Sequence, residues 1–353
     1  MKQMTSIIIL SFNTLSFTKL CIESIRRHTT KGLYEIIVVD NNSHDGSVEW
    51  LERQADIRLI KNDWNAGFSA GCNQGLAIAE GSELLLLNSD TIVTPHWLTN
   101  LCKALYSSPS VGAVGCMTNF CINGQQMEGP YKDIDGLEKF TREFNKGDSS
   151  KWIRKLLLIG FCFLFKREVY EKIGPLDERF TPGNFEDDDY SLRIWQAGYE
   201  MLLCKDTYIH HFGNVSFLSG KSHADVEKNA EKYNALIDRH AQIFRNKWPN
   251  LGNYKFMEPD ELVPELRSRD VPKLDEGLAA FQRGNHAFRQ QKWARALDEY
   301  SKVLSLQPEN KKVIINAAIV ARKLGDEETA KALAASVNVE KEIFEIGELV
   351  EAV

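Results

Sequence analysis

The feature that most constrains this chain is a regular alternation, over its first hundred residues, of short β-rich runs with stretches of helical spacing. Residues 6–10, 35–39, 58–60 and 83–87 are apolar and rich in Ile, Val and Leu, with 58–60 the weakest of them. Between them, residues 17–28, 48–54 and 66–79 repeat apolar side chains at the spacing of a helix. Strand and helix in alternation specify an α/β fold with a mainly parallel sheet and helices on both faces. Such sheets bind ligands beyond the carboxyl ends of their strands. That rule points to Ser11-Phe12-Asn13, Asp40-Asn41-Asn42-Ser43, residues 62–65, and Asn88-Ser89-Asp90. Asn, Asp and Ser also follow strands for turn reasons alone, and an Asx turn is the competing reading for Asp40. Agreement in position, more than residue type, favours a site.

Further along, residues 111–116 read as a strand and 119–150 as a polar, poorly periodic stretch long enough to be a mobile or ligand-facing region. Residues 156–166 return to the sheet, 168–173 and 190–197 are short helices, and 200–204 and 207–210 are strands. The longest apolar run, 156–165, is interrupted by Gly160 and falls short of the roughly 20 residues that cross a bilayer. The start of the chain lacks the pattern of a signal peptide. Seven cysteines occur without a C-x-x-C pair, as reduced thiols do. These features point to a cytoplasmic chain. Lys151-Trp152-Ile153-Arg154-Lys155 leaves peripheral contact with the inner face of a membrane open beside the reading of a solvated loop. A net charge of −6 gives no broad attraction to nucleic acid.

Two clusters carry the chemistry. Glu186-Asp187-Asp188-Asp189 opens an amphipathic helix, where carboxylates gain from the macrodipole, yet adjacent carboxylates repel unless a cation or a proton-transfer task occupies them. His210 and His211 follow at a strand end, upstream of Ser216. From 251 the composition shifts. Pro259, Pro264 and Pro272 punctuate a stretch that reads as a linker over 251–273, between a domain at 1–250 and a helical domain at 274–353.

Ser6-Ile-Ile-Ile-Leu-Ser-Phe-Asn, Glu35-Ile-Ile-Val-Val-Asp-Asn-Asn-Ser, Asn65-x-Gly-Phe-Ser-x-Gly-x-Asn-x-Gly, Leu84-Leu-Leu-Leu-Asn-Ser-Asp-Thr, Gly174-Pro-Leu-Asp-Glu-Arg-Phe, Phe185-Glu-Asp-x-Asp and His210-His-Phe-Gly stand in the family order of inverting family 2 glycosyltransferases. The chain resembles that family, and within it the rhamnosyl- and galactofuranosyltransferase-like branch. The resemblance implies a GT-A fold, a Rossmann-like nucleotide-diphospho-sugar transferase domain, acting on a UDP- or dTDP-linked sugar. It implies as acceptor a hydroxyl on a glycan, a lipid-linked saccharide or a protein such as flagellin, as in cell-surface polysaccharide synthesis. It places Asp40 on the donor base or ribose, with Ser11 and Asn13 lining the base and Asn42 assisting. Asn65 and Asn73 fall near the donor, the glycines around them permitting close backbone approach, with helix packing as the alternative for Gly75.

Asn88-Ser89-Asp90 stands where the family carries its D-x-D motif. Asn88 and Ser89 then face the donor, and Asp90 is the dependable ligand for Mg²⁺ or Mn²⁺. Asp187 matches the general base. Glu186 and Asp189 support it or meet the acceptor, helix capping being the alternative for Asp188 and Asp189. His210 matches a metal-ligating or phosphate-facing histidine, and His211 takes that place if the register slips by one. The rival function is a nucleotide-sugar-binding protein or scaffold with little turnover, suggested by Asn88 in place of an acid.

The helical end resembles tetratricopeptide (TPR) repeats. Gly284, Ala296, Tyr300 and Pro308 sit at the offsets of that repeat, with Trp293 opening its second helix and a weaker copy from Lys311 carrying Gly325 and Ala330. Two copies expose a helical face, which implies a protein partner or self-association.

Overall fold

The computed structural model describes residues 4–213, 223–249, 251, 254–268, 276–289 and 291–336. The chain divides into two compact units, residues 1–269 and 270–353. Ser216, the end of the expected linker at 269–273 and the tail at 337–353 lie outside the described residues.

In the first unit, β1 (Thr5–Ser11), β2 (Tyr34–Asp40), β3 (Ile57–Lys61) and β4 (Glu83–Asn88) are joined by α1 (Leu15–His28), α2 (Ser47–Leu51) and α3 (Gly67–Ile78), as the alternation requires. Then come β5 (Thr91–Ile92), α4 (Trp97–Leu105), β6 (Val111–Met117), α5 (Ile134–Phe144), β7 (Trp152–Arg154), β8 (Cys162–Lys166), α6 (Arg167–Ile173), α7 (Glu186–Gln196), β9 (Glu200–Tyr208), β10 (His210–His211), α8 (His223–Lys247) and α9 (Pro259–Ser268). Eight strands form one sheet in the order β3-β2-β1-β4-β8-β6-β9-β7. β1 to β4 pair in parallel, and β8 enters antiparallel between β4 and β6.

Alternation along the strands feeds two cores. Ile8, Leu84 and Leu86 face one side with Phe163 and Phe165, while Ile7, Ile9, Leu85 and Leu87 face the other with Trp97. Burying each such side chain contributes about 1.5–3 kcal/mol, which pins the register of the strand ends that carry the polar loops.

Three stretches differ from the sequence reading. Residues 119–150 contain α5, whose Asp133 caps it by accepting from Gly136 N at 2.7 Å. Its apolar stripe is narrow among charges, which hid the period. Of 156–166 only Cys162–Lys166 is strand, and the preceding residues form a loop into the site. The 251–273 stretch is more than linker: α9 buries Leu262, Val263 and Leu266 in the core that also holds Tyr190 and Trp195 of α7. Pro264 sits inside this helix, so proline content misread a packed element.

The second unit holds α10 (Glu276–Arg289), α11 (Trp293–Leu306), α12 (Lys311–Lys323) and α13 (Glu327–Ser336). Ala280, Ala287, Ala296, Tyr300, Val303, Val313, Ala317 and Val320 form its core. A Cβ on Gly284 would lie 2.6 Å from the Tyr300 ring, so the glycine is what lets α10 and α11 close on that ring.

Candidate active site

Parallel register sets Ser11 beside Asp40, and Leu10 beside Asn88, at one edge of the sheet. Asp40 is fully buried, its Oδ1 accepting from Ser43 N at 2.8 Å and its Oδ2 from Ser43 Oγ at 2.7 Å. Both oxygens thus shape the loop, as the turn reading expects, and each keeps a second lone pair. Asn13, at φ 53°, stitches the neighbouring loop to it, accepting from His44 N at 2.8 Å while its own N–H donates to Ser43 Oγ at 2.9 Å. Asn42 is half-buried at φ 66°. The Ser11 hydroxyl is buried at this edge with no hydrogen-bond partner among the described residues.

The Gly-rich segment is packing. A Cβ on Gly71 would lie 2.3 Å from Leu10 Cδ1 and one on Gly75 2.5 Å from Ile8 Cγ2, so these glycines let α3 lie directly on β1. Gly67 and Phe68 N–H groups donate to Asn65 Oδ1 and Pro182 O at 2.9 Å each, which occupies the first amides of the helix. Asn65 is exposed and also accepts from Asn41 Nδ2. Asn73, read as a donor contact, is buried and holds the segment that follows α6: it donates to Leu176 O and Glu178 Oε1 and accepts from Leu176 N at 2.9 Å. That segment takes both N–H donors of Asn73 and one of the two lone pairs on its Oδ1.

The histidine pair is resolved by strand pleating. β10 pairs antiparallel with β5, His211 opposite Thr91 and His210 opposite Ile92, and adjacent side chains on a strand leave from opposite faces. His211 Nε2 lies 3.2 Å from Asp90 Oδ1 and 3.3 Å from Asn88 Nδ2. His210 turns away: its Nδ1 is 2.7 Å from the Tyr131 hydroxyl, and burial first, then His211, pushes its pKa down to about 4. Of the two histidines named from the sequence, it is His211, the one expected on a register slip, whose ring faces Asp90. His211 Nδ1 faces the Phe120 carbonyl oxygen at 2.9 Å, which assigns the ring proton to Nδ1 and turns the Nε2 lone pair toward Asp90. A lone pair and a carboxylate converging at that distance call for a proton or a cation between them, so these residues fit a divalent ion. Among the described residues no cluster of three or more His, Cys, Asp or Glu could hold a metal. Ser89 is buried, its hydroxyl 3.3 Å from that of Thr14.

In the first turn of α7 the four acids separate by partner. Asp187 is half-buried; its Oδ2 accepts from Gly160 N at 3.0 Å and its Oδ1 from Asp188 N at 2.9 Å. Desolvation first, and the Asp188 carboxylate second, push its pKa up to about 6. Glu186 is 7% exposed, its Oε2 unpartnered among the described residues, and burial followed by repulsion from Asp187 holds it well above the usual carboxylate range. Asp188 accepts from the Tyr254 hydroxyl at 2.8 Å. Asp189 is fully buried and accepts from Arg193 Nε, Lys247 Nζ and Trp248 Nε1 at 3.0, 2.9 and 2.8 Å. Neither Asp188 nor Asp189 caps the helix; both tie it to residues 247–255.

One short loop joins the two clusters. Gly160 N–H donates to Asp187, while Phe161 O accepts from Asn88 N at 2.9 Å and the Phe161 ring stacks on His211 with centroids 5.2 Å apart. Neither residue was singled out as functional in the sequence, although Gly160 breaking the apolar run was the available signal. A polar pocket edge, a carboxylate with raised proton affinity and a carboxylate–imidazole pair now lie around one strand-end face.

Residues 6–174 match the model of glycosyl transferase family 2. That segment carries the sequence pattern of a family 2 glycosyltransferase. The family 2 match ends before Asp187 and His211, which the fold alone brings to it. An uncharacterized protein y4gI of Sinorhizobium fredii is 26% identical over 250 residues, 67% of this chain and 27% of that protein. The O-antigen biosynthesis protein RfbC of Myxococcus xanthus is 31% identical over 208 residues, 55% of this chain and 16% of that protein. The chain thus spans only a minor part of the length of either relative. A solved mannosyltransferase, PcManGT of Pyrobaculum calidifontis in complex with GDP-Man and Mn²⁺, aligns at a TM-score of 0.50 and 17% identity, over 96% of this chain and 87% of that one. The fold is accordingly of the GT-A type, a mixed α/β sheet that is mostly parallel. Among the described residues no helix is long and apolar enough to cross a membrane.

Proposed function

We propose that the chain is an inverting glycosyltransferase that moves a sugar from a nucleoside-diphosphate donor, UDP- or dTDP-linked, to an acceptor hydroxyl. The observation that carries this reading is Asp187, a half-buried carboxylate with proton affinity raised to about 6, joined through Gly160-Phe161 to the Asp90–His211 pair. A base in this range exists ionised at neutral pH and still accepts a proton, which is what attack by a hydroxyl requires. Inversion follows from a base on the face opposite the leaving group.

Asp90 and His211 would hold the divalent ion, with Asn88 orienting the His211 ring. When bound, that ion supplies charge stabilisation for the departing diphosphate. An imidazole ligand favours Mn²⁺ over Mg²⁺, which prefers oxygen and dehydrates reluctantly. Ser11, with its unpartnered buried hydroxyl, and Asn42 and Asn65 at the same edge remain the residues for the donor; Asp40 and Asn13 act by shaping the loop that receives it. Glu186, held well above the usual carboxylate range by burial and by Asp187, supports the base from beside it.

The likeness to a protein named for O-antigen biosynthesis supports a saccharide or lipid-linked acceptor and, more weakly, the rhamnosyltransferase-like branch. The second unit reads as two TPR-like copies: Ala296 and Ala330 are both buried one repeat period apart, and Gly284 fits under Tyr300. Its role would be acceptor or partner recognition. The experiment is a screen of UDP-, dTDP- and GDP-sugars by thermal shift and donor hydrolysis with and without Mn²⁺. Metal-dependent hydrolysis of one donor supports the transferase reading; binding without turnover by any preparation would favour the binding-protein alternative.

A further inference from the structure

The acid cluster of α7 is completed by residues that the family 2 match does not reach. Asp188 is 4% exposed, and a carboxylate so buried needs a partner for its charge. It receives the Tyr254 hydroxyl at 2.8 Å and the Lys255 ammonium at 3.1 Å, both on Oδ2. Lys255 is itself seated on the Phe185 ring, its Nζ 4.7 Å from the centroid. Asp188 in turn acts on Asp187 twice over: its amide donates to Asp187 Oδ1 at 2.9 Å, and its carboxylate is the like charge that, after burial, raises the proton affinity of Asp187. Whatever fixes Asp188 therefore fixes one of the two hydrogen bonds on Asp187 and the charge it faces.

We infer that Tyr254 and Lys255 are positioning residues for Asp187, acting through Asp188, and so bring a segment beyond the matched family region into the active site. This rests on Asp187 being the base. The other ionisable groups around the cluster are accounted for. Arg193 and Lys247 are spent on Asp189, with Lys247 also on Asp177; the half-buried Cys121 and the buried Cys72, thiols held protonated, act on Asp187 and Glu186. Among the described residues, Lys255 is the cation paired with Asp188. Removing its positive charge leaves the Asp188 carboxylate uncompensated, which disfavours ionised Asp187. Removing the Asp188 charge does the reverse.

The test uses the full-length chain labelled with ¹³C-aspartate, following the Asp187 Cγ resonance through acid and neutral pH and assigning it by its loss in Asp187→Asn. Lys255→Met should raise the Asp187 midpoint by about half a pH unit, Tyr254→Phe should move it the same way, and Asp188→Asn should lower it. Lys255→Arg should restore the original midpoint. Opposite signs for the two sides of one ion pair are not produced by general loosening of the fold. Unchanged midpoints in Lys255→Met and Tyr254→Phe, or shifts of the same sign in Lys255→Met and Asp188→Asn, would overturn the inference. Lys255 is 45% exposed, so its replacement leaves the core intact. The titration needs no donor or acceptor, and it stays readable even if Asp187→Asn proves fully active in transfer, the separate result that would remove the base reading.

Discussion

Gly160 N–H donates to Asp187 Oδ2 at 3.0 Å across 27 residues of sequence. This bond places a backbone dipole on the carboxylate that burial is trying to neutralise, and a Cβ on Gly160 would lie 3.7 Å from Asp187 Cβ. Asp187 therefore keeps an ionised form accessible at neutral pH while its proton affinity is raised, and its neighbour Phe161 ties the same loop to His211.

Asp187→Asn retains shape and loses the proton acceptor. Turnover should fall by about 10² or more, with nucleotide-sugar affinity within a few-fold of the parent. Near-parental turnover would reject the role of base. In the parent, kcat/KM should decline as pH falls through about 6, the folded-state pKa.

The same substitution should stabilise the protein. The folded pKa of Asp187 lies above the ordinary 3.8, so the folded state binds the proton more tightly than the unfolded chain, and ionised Asp187 opposes folding above about pH 6. The opposition is relieved as pH falls toward the unfolded value. Asp187→Asn should gain on the order of 1 kcal/mol at neutral pH and progressively less in acid, measured by urea denaturation. A gain independent of pH would contradict the linkage.

Mn²⁺ binding separates the two histidines. His211→Ala and Asp90→Ala should each weaken Mn²⁺ affinity in the presence of UDP by about tenfold or more, measured by calorimetry, whereas His210→Ala should change it little. Equal losses at His210 and His211 would remove the distinction drawn from the β5–β10 pairing.

Asn73 and Asp189 should behave as structural residues. Asn73→Ala strands the Leu176 backbone groups and should cost about 2–3 kcal/mol with donor affinity of the folded protein preserved. Asp189→Ala leaves Lys247, Arg193 and Trp248 facing one another and should cost about 3–5 kcal/mol. A donor-affinity loss in Asn73→Ala without loss of stability would return it to the binding site.

Two truncations place the boundary between the units. Ending the chain after Ser268 keeps Tyr254, Leu262, Val263 and Leu266 in the core and should leave a folded, donor-binding protein whose transfer to the natural acceptor, or self-association, declines. Ending it at the composition shift near 250 removes those side chains and should lower the midpoint of thermal unfolding sharply. Equal stability of the two products, read by circular dichroism, would refute the assignment of α9 to the first unit.

Strand and helix alternation, the edge of the sheet where polar loops gather, and the acids and histidines of the site were all legible in the amino-acid sequence, because periodicity and residue type are local properties. Partners were not. Asp40 and Asn73 read as candidate ligands of a donor, and only the fold shows that they also hold Ser43 and Leu176, since a side chain's hydrogen bonds depend on what the fold brings beside it. His210 and His211 are indistinguishable in a string of letters; the β5–β10 register, which pleating converts into opposite faces, decides between them. The prolines near 260 read as a break, yet Leu262, Val263 and Leu266 recur on one helical face that only the packed surface of α7 gives a reason to form. Sequence determined which chemistry the chain could carry; long-range burial and pairing decided which of those residues are free to perform it.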